Sequence, residues 1–417
     1  EKILTTEHKS DDNSWVKFLK EFKSSEFCKS PIKHFSTLRN NYNNDKKIYI
    51  SSEIRPINSI INSKISNKGC SEYLTLGVSM ENNTILENIK KVNPGEIIKF
   101  DKNNSVSSKK FFSSEFNKTK NYKINQIENL LSRSIKSQIP NIKFGVMFSG
   151  GIDSSLLLAK TYKMTNFQSS FSVNIEDRNF SELQYQKLVI KKFNLSKKSS
   201  FLNQRKEDFS IKNLKKVASR YDLPVIHPNF IGALKLTKEA SRSGLKVLLS
   251  GEGADEIFMG YKWFLEENKK ENFLEYIKYS DLEKIIPSLG NLPINKNKMI
   301  IEKKFQEIYL QKWLTRQDLS GMANGIEIRV PFLSLSLLKY LNKIVFKEKI
   351  KNNITKFMLK KIAENYFDEK FVYRKKMGFD YPLNKWINSE HINFLKDHKN
   401  IIDVKQLNKL WLNNNSY

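Results

Sequence analysis

The chain has 417 residues, enough for two or three domains with a sizeable core. Its 72 Lys+Arg against 44 Asp+Glu give a net charge of +28, which invites a nucleic-acid or acidic-peptide partner; yet the lysines are scattered among abundant Asn and Ile, a bias that AT-rich coding explains as well. The two cysteines, Cys28 and Cys70, form no CxxC pair, no apolar run reaches membrane-span length and Glu1-Lys2-Ile3 opens no signal peptide; these features argue against a disulfide framework, a zinc site and membrane insertion, and leave a cytoplasmic protein as the expectation.

Residues 1–47 are polar, and Trp15, Phe18, Leu19 and Phe22, spaced by three and four, predict one amphipathic helix. Residues 48–51 read as a strand. Glu53-Ile54-Arg55-Pro56-Ile57 follows, then the stretches 72–77 and 84–89. Val92-Asn93-Pro94-Gly95 reads as a turn into a strand ending at Phe100. Residues 101–122 are rich in Ser, Asn and Lys and read as a linker or loop, so the chain is expected to divide into 1–122 and 123–417.

From Lys123 strands and helices alternate. Helices are predicted around 124–135, 181–193, 211–221 and 231–243, and strands at 144–148, 171–174 and 246–249. Such alternation implies a doubly wound parallel sheet, in which ligands bind beyond the carboxyl ends of the strands. Residues 264–417 read mostly as helix, with stripes such as Leu335, Leu338, Tyr340 and Leu341.

Three stretches carry chemistry. The first follows the apolar run 144–148. Ser149-Gly150-Gly151 turns the chain, and a helix opens near Asp153. The glycines permit a sharp turn and close approach of a ligand, and the new helix presents unpaired N–H groups that favour an anion. Ser149, Ser154 and Ser155 add hydroxyls, which makes a phosphate or pyrophosphate cradle; the alternative is a turn that holds no ligand. The absence of a following lysine separates it from the Gly-x-x-x-x-Gly-Lys-Ser/Thr loop. The second stretch, Ser250-Gly251-Glu252-Gly253-Ala254-Asp255-Glu256, follows the buried run 247–249. Three acids among glycines suit a site for Mg²⁺-bound phosphates and a general base, although a solvated acidic turn would look the same. The third combines Glu327-Ile328-Arg329-Val330-Pro331-Phe332-Leu333, read as joining a helix end to a buried turn, with the basic run Arg374-Lys375-Lys376 before Gly378. Arg329 is either a structural partner of Glu327 or a ligand contact. The basic run is either a solvated face or a neutraliser of phosphate charge.

The Ser-Gly-Gly-x-Asp-Ser stretch resembles the signature of the PP-loop ATP pyrophosphatases. In order, the stretches together resemble the synthetase domain of glutamine-dependent asparagine synthetases over about residues 45–390, and residues 48–100 look like the tail of that family's glutaminase domain. The resemblance implies a parallel sheet of adenine-nucleotide α-hydrolase type with helical C-terminal additions, plus a small remnant N-terminal α+β or β domain. It implies ATP and Mg²⁺. Ser149, Gly150, Gly151, Asp153, Ser154 and Ser155 match the pyrophosphate loop, and Ser250 opens the second loop. Met147, Val173 and Gly251 match adenosine contacts, and Asp153 and Asp255 match Mg²⁺ holders. Glu252 matches the base, and Lys376 the lysine that stabilises the departing phosphates. Arg316, Asp318 and Arg329 are the candidates for the carboxylate substrate.

This sequence also departs from the family pattern. Residue 1 is Glu where the family's glutaminase needs a cysteine, and residues 1–122 are too few for a whole glutaminase domain. Glutamine hydrolysis by this chain is therefore not expected; ammonia or another amine serves, a separate glutaminase chain supplies it, or an N-terminal segment is missing. The usual Asp-Arg pair is Asp318-Leu319 here, with Arg316 nearby, and His227 stands where an acid is common, which opens the identity of the carboxylate. The expected activity is an ATP-dependent, AMP-forming amide ligase acting on a small-molecule or peptide carboxylate. Asparagine formation, amidation of a sugar acid and cyclisation in the manner of lasso-peptide cyclases are its variants; Glu252, where β-lactam-forming relatives have tyrosine, argues against that branch. A PP-loop tRNA-modifying enzyme, which the charge favours but the later motifs do not, and a non-catalytic scaffold are the other classes. A homodimer is compatible with all of these.

Overall fold

Apolar runs too short for helices fill the middle of the chain, and they find one another as parallel strands. The computed structural model describes residues 34–39, 46–100, 106–110, 119–221, 223, 227–266, 305–378 and 381–396. The helix predicted around Trp15 lies outside them.

The N-terminal part is built from small pieces. β1 (His34–Arg39), β2 (Lys46–Ser51) and β3 (Lys90–Lys91) form an antiparallel sheet in the order β2-β1-β3. Between β2 and β3 lie α1 (Ile54–Ile61) and α2 (Asn67–Leu76). Pro56 is tolerated in α1 because it falls in the first turn, where its missing N–H has no intrahelical partner. α1 buries Ile54 and Ile57 against Ile89. The Ser66 hydroxyl caps α2 by accepting the Gly69 N–H at 3.1 Å. β4 (Glu96–Phe100) then pairs with β5 (Val106–Lys110) as an antiparallel hairpin. Residues 106–110, read from the sequence as part of a linker or loop, are therefore a strand. Val-Ser-Ser-Lys-Lys carries no apolar alternation, so β5 depends on pairing with β4. This part also packs on later segments: the Lys91 ammonium donates to Gln311 at 3.0 Å, and Arg55 to the Ser219 carbonyl at 2.9 Å.

The central layer follows. α3 (Ile124–Gln138) buries Ile127, Leu131 and Ile135, one apolar stripe at spacing four. Then come β6 (Phe144–Met147), α4 (Ile152–Thr161), β7 (Phe167–Ile175), α5 (Leu183–Lys192), β8 (Ser199–Gln204), α6 (Ile211–Ala218), α7 (Asn229–Arg242), β9 (Val247–Leu249) and α8 (Ala254–Phe258). After residue 304 come α9 (Leu310–Met322), β10 (Glu327–Arg329), α10 (Leu335–Asn342) and α11 (Phe357–Ala363).

The strands make one five-stranded sheet, β10-β9-β6-β7-β8, and every pairing in it is parallel. Side chains alternate between its faces. Val247 and Leu249 join a core with α3, α4, α10 and α11, while Leu248, Phe171 and Val173 join Leu236 and Ala240 of α7 on the other side. Both faces are covered, as a parallel sheet requires. The chain runs outward from β6 through β7 to β8, then returns to lay β9 on the other side of β6. That reversal opens a crevice between the loops following β6 and β9. Among the described residues no helix is long and apolar enough to cross a membrane.

The stretch 327–329, expected to lead into a turn, is a fifth strand whose Arg329 pairs in register with Leu249. Its side chain is engaged at the sheet edge. The Arg329 guanidinium donates to Glu327 Oε1 at 2.9 Å and to the Gln138 carbonyl at 2.8 Å, and so ties the sheet edge to the end of α3. Arg329→Ala is expected to lower unfolding stability in urea by about 1–3 kcal/mol, because a part-buried carbonyl and a half-buried carboxylate each lose a charged donor.

Candidate active site

The loop after β6 is held by its own hydroxyls. Ser154 Oγ accepts the Ser149 N–H at 3.1 Å and lies 3.0 Å from Ser149 Oγ, which in turn accepts the Gly151 N–H at 3.2 Å. Carbonyls of the loop are drawn outward. Gln186 Nε2 donates to the Ser149 carbonyl at 3.1 Å, and Arg374 to the Gly150 carbonyl at 2.9 Å. Gly150 has φ +87°, and a Cβ there would lie 3.0 Å from Gln186 Cγ, so both conformation and space demand glycine. Gly151 caps α4 without any side-chain bond, and the first-turn amides lie at the cavity edge.

The loop after β9 lies against it. A Cβ on Gly251 would stand 3.2 Å from the Ser154 nitrogen, so the close approach of the two loops depends on that glycine. Two aspartates face each other here, and two lysines brace them. Lys356 Nζ lies 2.5 Å from Asp153 Oδ2 and 2.8 Å from Asp255 Oδ1, and Lys376 Nζ lies 2.5 Å from the same Asp255 oxygen. Burial works against ionisation of both acids. At Asp255 the two ammonium groups outweigh it and hold the carboxyl below the usual range. At Asp153 burial, with repulsion from Asp255, prevails over Lys356 and pushes the carboxyl up. Lys356, buried between them, is held above its ordinary value by the two carboxylates.

Glu252 is served separately. Its Oε2 accepts from Arg316 Nη2 and from Gln317 Nε2, the latter at 2.8 Å. Both donors come from α9. The neighbouring Glu256 is fully buried, accepts from the Tyr261 hydroxyl at 2.5 Å, and is pushed up to about 8 by burial and by Asp255 and Glu252.

These groups open into one cavity of about 460 Å³. It is lined by Met147, Ser149, Gly151, Asp153, Ser154, Val173, Ser250, Gly251, Glu252, Asp255, Arg316 and Lys376, which brings together most of the residues picked from the sequence. Four picked residues stand elsewhere. Gly150 shapes the turn from behind. Ser155 is fully buried, and its hydroxyl has no hydrogen-bond partner, so it does not belong to the lining as expected. Arg329 is committed to the sheet edge. Asp318 lies two positions past Arg316, roughly 200° around the helix, and does not line the cavity.

Sequence reasoning missed Lys356, which belongs to no motif and whose backbone is left-handed at φ 56°. It also missed Arg374 as a clamp. That guanidinium donates to Glu182 at 2.8 Å and stacks 3.8 Å from the Tyr185 ring centroid. The basic run 374–376 was the available signal.

The asparagine synthase family profile matches residues 126–412. The chain belongs to the asparagine synthase family. It is 24% identical over 422 residues to asparagine synthetase [glutamine-hydrolyzing] 1 of Bacillus subtilis, covering 86% of this chain and 66% of that protein. It is 25% identical over 413 residues to asparagine synthetase [glutamine-hydrolyzing] 3 of the same organism, covering 84% and 65%. The chain thus spans about two thirds of the length of these relatives. Among solved structures, a U34-tRNA thiolase from Methanococcus maripaludis overlaps 54% of this chain and 93% of its own at 15% identity, with a TM-score of 0.24, too low to argue from.

Within this chain His227 has a setting of its own. It lines the cavity and meets the Trp313 ring edge-on at 5.1 Å. Burial, with Lys312 and Arg316 nearby, pushes it from 6.5 down to about 3. The folded protein therefore holds it neutral, and it contributes stability that is present above its unfolded value and lost as pH falls toward 3. Urea midpoints measured between pH 7 and 4 are expected to fall less steeply for His227→Gln than for the parent chain.

Proposed function

We propose that the chain is an ATP-dependent, AMP-forming amide ligase. The observation that carries this reading is the convergence, in one cavity at the strand switch point, of an anion cradle, an aspartate pair braced by lysines and a separately held carboxylate, Glu252.

The residues divide by position. Met147 and Val173 line the side assigned to adenosine, with Ser250 and Gly251 opposite. The Ser149 and Ser154 hydroxyls and the first-turn amides of α4 receive the phosphates. Lys356 and Lys376 offset the charge that builds on the leaving pyrophosphate when a carboxylate attacks the α-phosphorus. Asp153 and Asp255 are the candidates for Mg²⁺. Among the described residues no group of three His, Cys, Asp or Glu side chains is arranged to hold a metal. The pair fits an ion that takes its other ligands from phosphates and water, and Asp153 Oδ1 is buried without a hydrogen-bond partner. Bound there, Mg²⁺ would supply further neutralisation of phosphate charge.

Amide formation needs a base near the acyl carbon. Arg316 and Gln317 both engage Glu252 Oε2, so Oε1 is the oxygen assigned to the nucleophile's proton. The nucleophile is ammonia or another amine, free or delivered by a separate glutaminase chain.

Two half-reactions separate the roles. Mg²⁺-dependent exchange of labelled pyrophosphate into ATP, driven by a carboxylate from a panel that includes aspartate, is the expected signal, and EDTA should abolish it. Glu252→Gln should keep this exchange within a few-fold while slowing amide formation by about 10²–10⁴-fold. Lys376→Ala should slow exchange by about 10²–10³-fold, and an unchanged rate would sink its assignment. Exchange that requires tRNA would overturn the ligase reading.

A further inference from the structure

The cradle loop is soft by composition. Gly150 and Gly151 are consecutive, and glycine adopts either sign of φ at little cost, so local sequence does not fix which way the peptide groups of this loop face. Orientation matters here. A peptide plane turned one way offers an anion an N–H, and turned the other way it offers a carbonyl.

Two donors outside the loop fix the planes. Gln186 Nε2 donates to the Ser149 carbonyl at 3.1 Å and, at the same distance, to the Val173 carbonyl, which ties the loop to β7. Arg374 Nη2 donates to the Gly150 carbonyl at 2.9 Å and to Glu182 Oε1 at 2.8 Å. In a trans peptide the C=O and the next N–H point to opposite sides. Carbonyls held toward these donors therefore turn the N–H groups of Gly150 and Gly151 away from them. Ser149 and Gly151 line the cavity, while Gln186 is buried behind the loop.

The anchors share one origin. Glu182 immediately precedes α5, and Gln186 lies four positions on, about one helical turn. Between them Tyr185 carries the Arg374 guanidinium 3.8 Å from its ring centroid, and the Phe371 ring lies 5.6 Å from the same group. A guanidinium is planar and donates in a fixed fork, so stacking on a ring and pairing with Glu182 leave Nη2 a narrow choice of direction. The ion pair is nearly closed to water, with side chains 10% and 11% exposed. Two residues further on, Lys376 reaches Asp255. The segment that orients the first loop thus also brings a cation to the acid that follows the second.

We infer that Gln186, Arg374 and Glu182 are positioning residues that set the polarity of the cradle: they keep the Ser149 and Gly150 carbonyls out of the phosphate site, and Glu182 acts through Arg374. The inference rests on the reading of this loop as a pyrophosphate cradle, so binding is measured apart from turnover. Calorimetry on the full chain and its variants uses inorganic pyrophosphate with Mg²⁺, ATP with Mg²⁺, and adenosine, beside the exchange assay on the parent chain.

Arg374→Met should weaken pyrophosphate binding at least about 10-fold and hold adenosine within about 2-fold. Gln186→Met removes no charge and should weaken pyrophosphate by a similar factor. Glu182→Gln keeps an acceptor for Arg374 and removes a negative charge; positioning predicts a loss of about 2–5-fold, whereas tighter binding would show that Arg374 acts by charge and overturn the inference. Glu182→Ala combined with Arg374→Met should lose no more than Arg374→Met alone, and additive losses would overturn the action of Glu182 through Arg374. Pyrophosphate affinity unchanged in both Met variants, or adenosine lost in parallel with it, would overturn the inference and leave ligase activity standing wherever the parent chain supports exchange. A parent chain that binds pyrophosphate without exchange, with the two Met variants weakened, would support the positioning roles and sink adenylation. Binding of neither ATP nor pyrophosphate by the parent chain would overturn both.

Discussion

One ammonium group holds the site together. Lys356 places its charge between Asp153 and Asp255, acids in the first turns of the helices that follow two adjacent strands. The sheet order forces the loops leading into those helices side by side, and the Gly251 approach brings them into contact. Two half-buried carboxylates in that position repel each other and lose hydration, a cost that cations among them offset. Lys376 adds a second cation on Asp255 from a different segment. The crevice is therefore shaped by topology, and its charge balance by residues more than 100 positions later in the chain.

The cavity has two electrostatic poles. At one, four buried or half-buried charges brace each other around the anion cradle. At the other, Glu252 is held by a guanidinium and an amide through a single oxygen. In the proposed ligase reaction the two poles would serve opposite ends, one receiving a negative leaving group and the other taking up a proton. Glu256, one residue after Asp255, is kept apart from both by full burial and the Tyr261 hydroxyl.

The parts legible in the sequence were those with local causes. Short apolar runs ending in glycine-rich loops announced β6 and β9, and Ser149, Ser154, Asp153, Glu252 and Asp255 line one cavity while Ser155 is buried behind it. Features with distant causes stayed hidden. β5 is polar and becomes a strand only by pairing with β4. β10 is three residues long, too short for a period to show, and the role of Arg329 turned on a carbonyl 191 positions away. Arg316 and Asp318 were equally good candidates on paper, and only the phase of α9 separated them. Lys356 sits after an Asn-rich turn without any motif. Its left-handed backbone and its two acidic partners are set by tertiary structure.

The clamp from Arg374 to Gly150 spans 224 positions, and Lys376 reaches back 121 positions to Asp255. During synthesis the cradle loop and both acids leave the ribosome long before the cations that complete them. Until the segment around 356–376 emerges, the strand ends present two uncompensated carboxylates and a loop carbonyl without its donor. Under the ligase reading, the anion cradle is electrostatically complete only once the segment 356–376 has docked on it.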